Sequence, residues 1–298
     1  MQPTSTGSPL PSPTASASPS ASATPSAEPS STPSTTTKPP APGFDTYAAM
    51  IPKFPPAPTP VPVTLTPKQP GMSAFAYEIP TTQPVAFLTI DDGATRHPMA
   101  ADLLRAAKVP VTLFLTTNYV SKHQDYFREL RDTGYAEIEN HTIDHKSLPG
   151  LGRGGAKNEL CAANDNLANW FGRKPVFFRP PYGNYNDSTL LAGGDCGLKA
   201  GFYWRETVDQ GIVHYQRADK KIHAGDIILM HFRSAFPDDF IAALRAIAEA
   251  GLTPAFLSDY VRVPGYDTPP VSGPDPSSGP QTPPAALVAT EPDRPVLA

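Results

Sequence analysis

Between about residue 71 and residue 263 the chain alternates short apolar runs with stretches of helical periodicity. Residues 85–90 (VAFLTI) form a compact, largely apolar run bounded by Pro84 and by Asp91-Asp92-Gly93, which predicts a buried strand ending in a turn. Residues 111–115 (VTLFL), 136–139, 176–178, 200–204, 226–230 (DIILM) and 253–256 read as further strands. Helical stretches separate them. One spans 98–107, opened by a proline whose missing N–H costs little there. Residues 126–133 and 158–171 are each stopped by a glycine, Gly134 and Gly172. Residues 188–195 form another, and a last one carries Phe240, Ile241, Leu244 and Ile247 before Gly251. Strands separated by helices imply parallel pairing through right-handed crossovers, and near-continuous apolar strands suit a sheet covered on both faces. A doubly wound sheet and a barrel both satisfy this order. About seven strands, with no glycine-rich phosphate fingerprint after the first, favour the barrel.

Composition divides the chain. Of its 298 residues 39 are proline, concentrated at the two ends. Residues 1–70 are rich in Pro, Ser, Thr and Ala, and residues 264–298 have the same character. Such segments bury too little apolar surface to offset chain entropy, so both are expected to be disordered tails around one folded domain at 71–263. The net charge is −4 and no basic stripe occurs, so nucleic acid is not an expected partner. No apolar run approaches the roughly 18 residues of a membrane span. No apolar signal segment opens the sequence. The Ser/Thr/Pro tract nevertheless resembles the tether of an exported protein, so the expectation is a secreted or cell-surface monomer whose signal segment is absent from this sequence.

In a parallel α/β fold the strand ends lie on one ligand-binding face. Asp91 and Asp92 follow the first strand, His141-Thr142-Ile143-Asp144-His145 the third, Arg179-Pro180-Pro181-Tyr182-Gly183 the fourth, and His231 follows DIILM. A lone Asp in such a place is usually a turn residue and a lone His usually a surface one. Four distant segments converging on one rim shift that balance. His141 and His145, spaced i, i+4, can face one ion if the backbone turns helically, and one carboxylate completes a three-ligand site of the kind that holds catalytic zinc or non-haem iron. The second carboxylate needs an offsetting charge, which Arg179 can provide while it serves as a base; His231 is then free to act as an acid.

The segments TIDDG (89–93), HTIDH (141–145), RPPYG (179–183) and LMH (229–231) resemble, in order, four of the five motifs of the polysaccharide deacetylases, carbohydrate esterase family four, or NodB-homology family. The resemblance implies a distorted seven-stranded β/α barrel. It implies Asp92, His141 and His145 as ligands of a divalent metal, usually Zn2+, with Co2+, Mn2+ or Ni2+ as alternatives. Asp91 would activate water, Arg179 would orient Asp91, His231 would protonate the leaving group, and the Tyr182 backbone N–H would help hold the oxyanion. The implied substrates are acetylated glycans: N-acetylglucosamine polymers such as peptidoglycan or chitin, or acetylxylan. Competing readings are a catalytically silent glycan-binding module, disfavoured by the intact residue set, and a non-haem iron enzyme, disfavoured by the second aspartate.

One motif departs. The family usually has an acid after a strand-end Trp; here Trp204 leads into Arg205-Glu206-Thr207-Val208-Asp209, with Thr207 near the expected position. Asp209 is the expected substitute, accepting the second ring N–H of His231, with Glu206 the weaker candidate. Finally, Cys161 and Cys196 fall in consecutive helices, which are neighbours in such a fold, and are expected to be bonded; closing a loop of about 35 residues stabilises by roughly 3–4 kcal/mol.

Overall fold

The computed structural model describes residues 42–264; the predicted disorder of residues 1–41 and 265–298 lies outside the described residues. The strands are β1 (Val63–Thr64), β2 (Ala74–Ala76), β3 (Val85–Asp92), β4 (Val111–Leu115), β5 (Ala136–Asn140), β6 (Phe177–Phe178), β7 (Ala200–Phe202), β8 (Glu206–Asp209), β9 (Ile212–Tyr215), β10 (Ile227–His231), β11 (Thr253–Pro254) and β12 (Val261–Arg262). The helices are α1 (Phe44–Ala49), α2 (Ala100–Ala107), α3 (Thr117–Val120), α4 (Gln124–Leu130), α5 (Gly152–Phe171), α6 (Asp187–Asp195), α7 (Phe236–Glu249) and α8 (Leu257–Tyr260).

Seven parallel strands run in the order β2-β7-β6-β5-β4-β3-β10, and the sheet continues through β8 to an antiparallel β9. An antiparallel bridge between Glu78, just past β2, and Asp226, just before β10, curls the seven toward closure. This is the distorted, incompletely closed barrel that the family resemblance implies, extended by a hairpin, but its strands are not all those read from the sequence: β2 at one end was not anticipated, and β11, read as the last strand, pairs only with β3 off the main path. β3 and β4 are buried along both faces, as their apolar runs require. Register sets up the rim. His231 pairs with Asp91 across β10 and β3, Asp92 with Leu115, Leu115 with Asn140, and Asn140 with Phe178. The residues that follow Asn140 and Phe178 are His141 and Arg179, so all the candidate residues leave the sheet at one level.

Two further features depart from the sequence reading. Residues 44–70 are not all linker: Tyr47 of α1 is buried, its hydroxyl donates to Asp238 Oδ1 at 2.9 Å, and β1 pairs with β12. A few apolar residues (Phe44, Tyr47, Met50, Ile51, Phe54) suffice to dock a proline-rich segment whose average composition looks disordered. The seventh strand stops at Phe202, and the chain re-enters the sheet as β8. The β8–β9 hairpin turns through Gln210 and Gly211, both at positive φ, as a two-residue hairpin loop demands, and Gly211 N donates to Asp239 Oδ1 at 2.7 Å. Cys161 and Cys196 form the expected disulfide, joining α5 to the end of α6.

The barrel buries carboxyls away from the rim. Glu206 of β8 is fully buried against Asp226; burial, with Asp226 adding and Arg217 opposing, pushes it up to about 8. Burial likewise pushes Glu137 of β5 to about 8 against a hydrogen bond from Ser258. Glu206 therefore faces Asp226, not His231. A carboxyl whose pKa is raised on folding holds its proton more tightly in the folded state. Its contribution is complete below the unfolded value near 4.5 and is lost as pH rises through about 8. Urea unfolding between about pH 5 and about pH 9 should show stability falling with pH, with a shallower slope in Glu206→Gln; an equal slope would contradict the burial argument. Starting the chain at Val61 should cost roughly 2–4 kcal/mol by removing α1, read as a lower urea midpoint, and an unchanged midpoint would show that α1 docks without consequence.

Candidate metal centre and active site

Asp92, His141 and His145 offer ligand atoms that all lie within 4.8 Å of one another. Asp92 Oδ1 is 3.4 Å from His141 Nε2 and 3.3 Å from His145 Nε2, yet it is buried with no hydrogen-bond partner. Tetrahedral bonds of about 2.0–2.2 Å place ligand atoms about 3.3–3.5 Å apart, so these separations match a shared cation. His141 Nδ1 lies 2.7 Å from the Arg179 carbonyl oxygen. Only an Nδ1–H can make that bond, so Nε2 presents its lone pair to the cluster, the outer-shell arrangement common to metal-ligating histidines. The electrostatics are those of interlocked groups. Against burial, the Asp91 and Asp92 carboxylates raise His141 above its usual value. Burial, then His141, lowers His145; against burial, the histidines lower Asp92.

The HTIDH segment does not turn helically as the i, i+4 spacing suggested. Thr142 and His145 have φ of 72° and 57°, and the loop is stitched from outside. Asn140 Oδ1 accepts from Thr142 N at 2.8 Å, and Glu159 Oε2 of α5 accepts from Ile143 N and Asp144 N, each at 3.0 Å. Glu159 had no role in the sequence reading; on α5 it shows only as one more helical residue. Among the described residues seven non-glycine positions have positive φ, and four of them are Asp92, Thr142, His145 and Tyr182. Strained backbone thus gathers around the cluster, where the surrounding hydrogen bonds hold it.

Asp91 sits beside the cluster in a different environment. Its Oδ1 accepts from Arg179 Nη1 at 2.7 Å while Oδ2 lies 3.7 Å from His141 Nε2. Arg179 is fully buried. It also donates to Thr89 Oγ1 at 2.7 Å and to the Tyr203 carbonyl at 3.1 Å, and its guanidinium stacks 4.5 Å from the Phe114 ring centroid. Burial lowers its pKa, opposed by Asp91.

His231 faces the cluster, its Nε2 3.9 Å from Asp92 Oδ2. Asp209 does not meet its ring. Asp209 Oδ1 pairs with Arg233 Nη1, and Arg233 Nη2 lies 3.2 Å from His231 Nδ1. An arginine can only donate, so Nδ1 accepts here and the expected ring N–H to Asp209 is replaced by an intervening cation. Arg233 is two residues past His231 in LMHFR, a position whose side chain the strand-end motif does not specify. Burial lowers His231, Arg233 and His141 add to the fall, and the two aspartates oppose it. A cleft of about 530 Å³ opens over these groups, lined by Asp91, His141, His145, Tyr182, Trp204, Thr207, Leu229, His231 and Arg233 among others. Tyr182 stands 62% exposed at its edge, its ring 4.7 Å from that of His145.

A family model described as polysaccharide deacetylase matches residues 78–201. An uncharacterised protein of Streptomyces coelicolor is 40% identical over 191 residues, covering 61% of this chain and 74% of that protein. A peptidoglycan-N-acetylglucosamine deacetylase of Bacillus cereus is 26% identical over 181 residues, covering 57% of this chain and 83% of the enzyme. The solved structure of a family 4 carbohydrate esterase from Bacillus anthracis superposes with a TM-score of 0.54 at 22% identity, over 62% of this chain and 86% of that one, which shows a shared fold.

The Asp209–Arg233–His231 chain makes a signed prediction for the His231 ring, read by NMR titration. Removing the cation in Arg233→Met should raise its pKa, and exposing that cation in Asp209→Asn should lower it. In the Arg233→Met background Asp209→Asn should do little, because Asp209 acts through Arg233; a full additive shift would mean direct contact.

Proposed function

The chain belongs to the polysaccharide deacetylase family, and on that premise we propose that it hydrolyses acetyl groups from a glycan, with Asp91 as base, His231 as acid, and Asp92, His141 and His145 holding a divalent metal. The observation that carries this reading is the split between two adjacent carboxylates. Asp92 turns an unpartnered oxygen to two histidines, while Asp91 is tied to a buried guanidinium with its other oxygen toward the same histidines. Environments that separate paired carboxylates separate their roles.

A divalent cation bound there supplies an activated water and polarises the acetyl carbonyl. Asp91 Oδ2 takes the proton of the attacking water. Arg179 neutralises the charge of the buried Asp91 carboxylate and fixes its direction. The Tyr182 backbone N–H, on a loop held at positive φ, donates to the developing oxyanion. His231 Nε2, on the cleft side of the ring, delivers a proton to the departing nitrogen or oxygen. Trp204 and Tyr182 flank the acetylated sugar in the cleft.

The relatives support the substrate class: deacetylases of peptidoglycan N-acetylglucosamine and N-acetylmuramic acid, and a xylan deacetylase, are among them. An N-acetylglucosamine polymer such as peptidoglycan or chitin, or acetylxylan, is the proposed substrate, and zinc the proposed metal, from the nitrogen and oxygen donor set. A cell-surface location suits both such a substrate and the Cys161–Cys196 disulfide, and no helix among the described residues is long and apolar enough to cross a membrane.

Acetate release from chitin oligomers, peptidoglycan and acetylxylan tests the activity; silence on all three would sink it. Asp91→Asn should keep its metal and lose about a hundredfold or more in turnover, whereas Asp92→Asn should lose metal. Equal metal loss in both variants would contradict the division of roles.

A further inference from the structure

We propose that Tyr119 is a substrate-positioning residue whose exposed ring carries a sugar unit neighbouring the one being deacetylated, outside the cleft and next to His145. The proposal rests on the glycan reading above and adds a residue to it. Tyr119 lies on α3, a single turn between β4 and the loop before α4. That turn is wedged between both loops of the metal cluster. Thr117 N and Asn118 N donate to the carbonyls of Thr142 and Ile143 at 3.0 and 3.1 Å, and the Asn118 side chain bonds Asp144. Beneath, the fully buried Val120 packs so closely on the turn after Asp92 that a Cβ on Gly93 would stand 2.7 Å from Val120 Cγ1.

A scattered exposed aromatic is ordinary. Tyr119 differs in being held by these contacts at 39% exposure, with its ring centroid 6.4 Å from that of His145. Tyr182, 62% exposed, lies 4.7 Å from the same imidazole. The two tyrosines therefore adjoin one metal-ligating ring, Tyr182 inside the cleft and Tyr119 outside it. Rigid, amphipathic rings suit the apolar C–H face and hydroxyl rim of a pyranose, and they lose little side-chain entropy on binding. A polymer crossing the site thus meets the cleft with its acetylated unit and Tyr119 with the next.

Initial-rate kinetics on chitotetraose, acetylated xylotetraose and 4-nitrophenyl acetate test this. For the tetramer that is turned over, Tyr119→Ala should raise KM about tenfold while kcat changes by less than about twofold, and Tyr119→Trp should restore KM. The penalty on 4-nitrophenyl acetate should be several-fold smaller. An unchanged KM for that tetramer, or an equal loss on the tetramer and on 4-nitrophenyl acetate, would overturn the role of Tyr119. A wild-type protein inactive on all three would instead count against the proposed function.

Discussion

The ion pair between Arg179 and Asp91 is the constraint on which the rim of this barrel depends. A guanidinium with no solvent contact is tolerable only when its charge and donors are met. Here they are met by Asp91 and Thr89 of β3, by the carbonyl of Tyr203 beyond β7, and by the face of Phe114 on β4. One side chain thus holds three strand ends at a common depth. The same residue's carbonyl accepts the Nδ1 proton of His141 and so turns that ring's other nitrogen to Asp92. The proposed base and a proposed metal ligand are oriented through a single residue, its side chain serving one and its backbone the other.

Around this pair the loops are shaped by contacts rather than by local preference. Left-handed backbone at Asp92, Thr142, His145 and Tyr182 is unfavourable for non-glycine residues. In the HTIDH loop it persists because Glu159, Asn140 and the α3 turn take up the loop's amide groups and carbonyls. The arrangement keeps three candidate ligand atoms close with one carboxylate oxygen unsatisfied, a cost that a cation would remove.

Much of the barrel was legible in the sequence because its central strands are buried on both faces and so read as apolar runs between helices. The site was legible because strand ends of a parallel sheet share one rim, and because four motifs occur in order. What stayed hidden has physical causes. β8 is four residues long with alternating burial, so Glu206, Thr207 and Asp209 read as an altered loop and not as a strand. α1 docks through isolated apolar residues within a proline-rich tract. Arg233 enters the site through a side-chain path from Asp209 that no spacing encodes, and Tyr119 gains meaning only once α3 is seen wedged between two loops. The roles of individual side chains are therefore less visible in the chain than the places from which they come.

The central claim is that Asp92, His141 and His145 hold one divalent metal beside the Arg179-bound Asp91. Anomalous X-ray scattering at the zinc edge, from crystals of the protein grown with zinc, tests it without reference to activity. A single strong peak is expected within about 2.0–2.2 Å of Asp92 Oδ1, His141 Nε2 and His145 Nε2, with Asp91 still paired to Arg179. No peak among these three residues, or a peak bonded to Asp91 in place of Asp92, would contradict it.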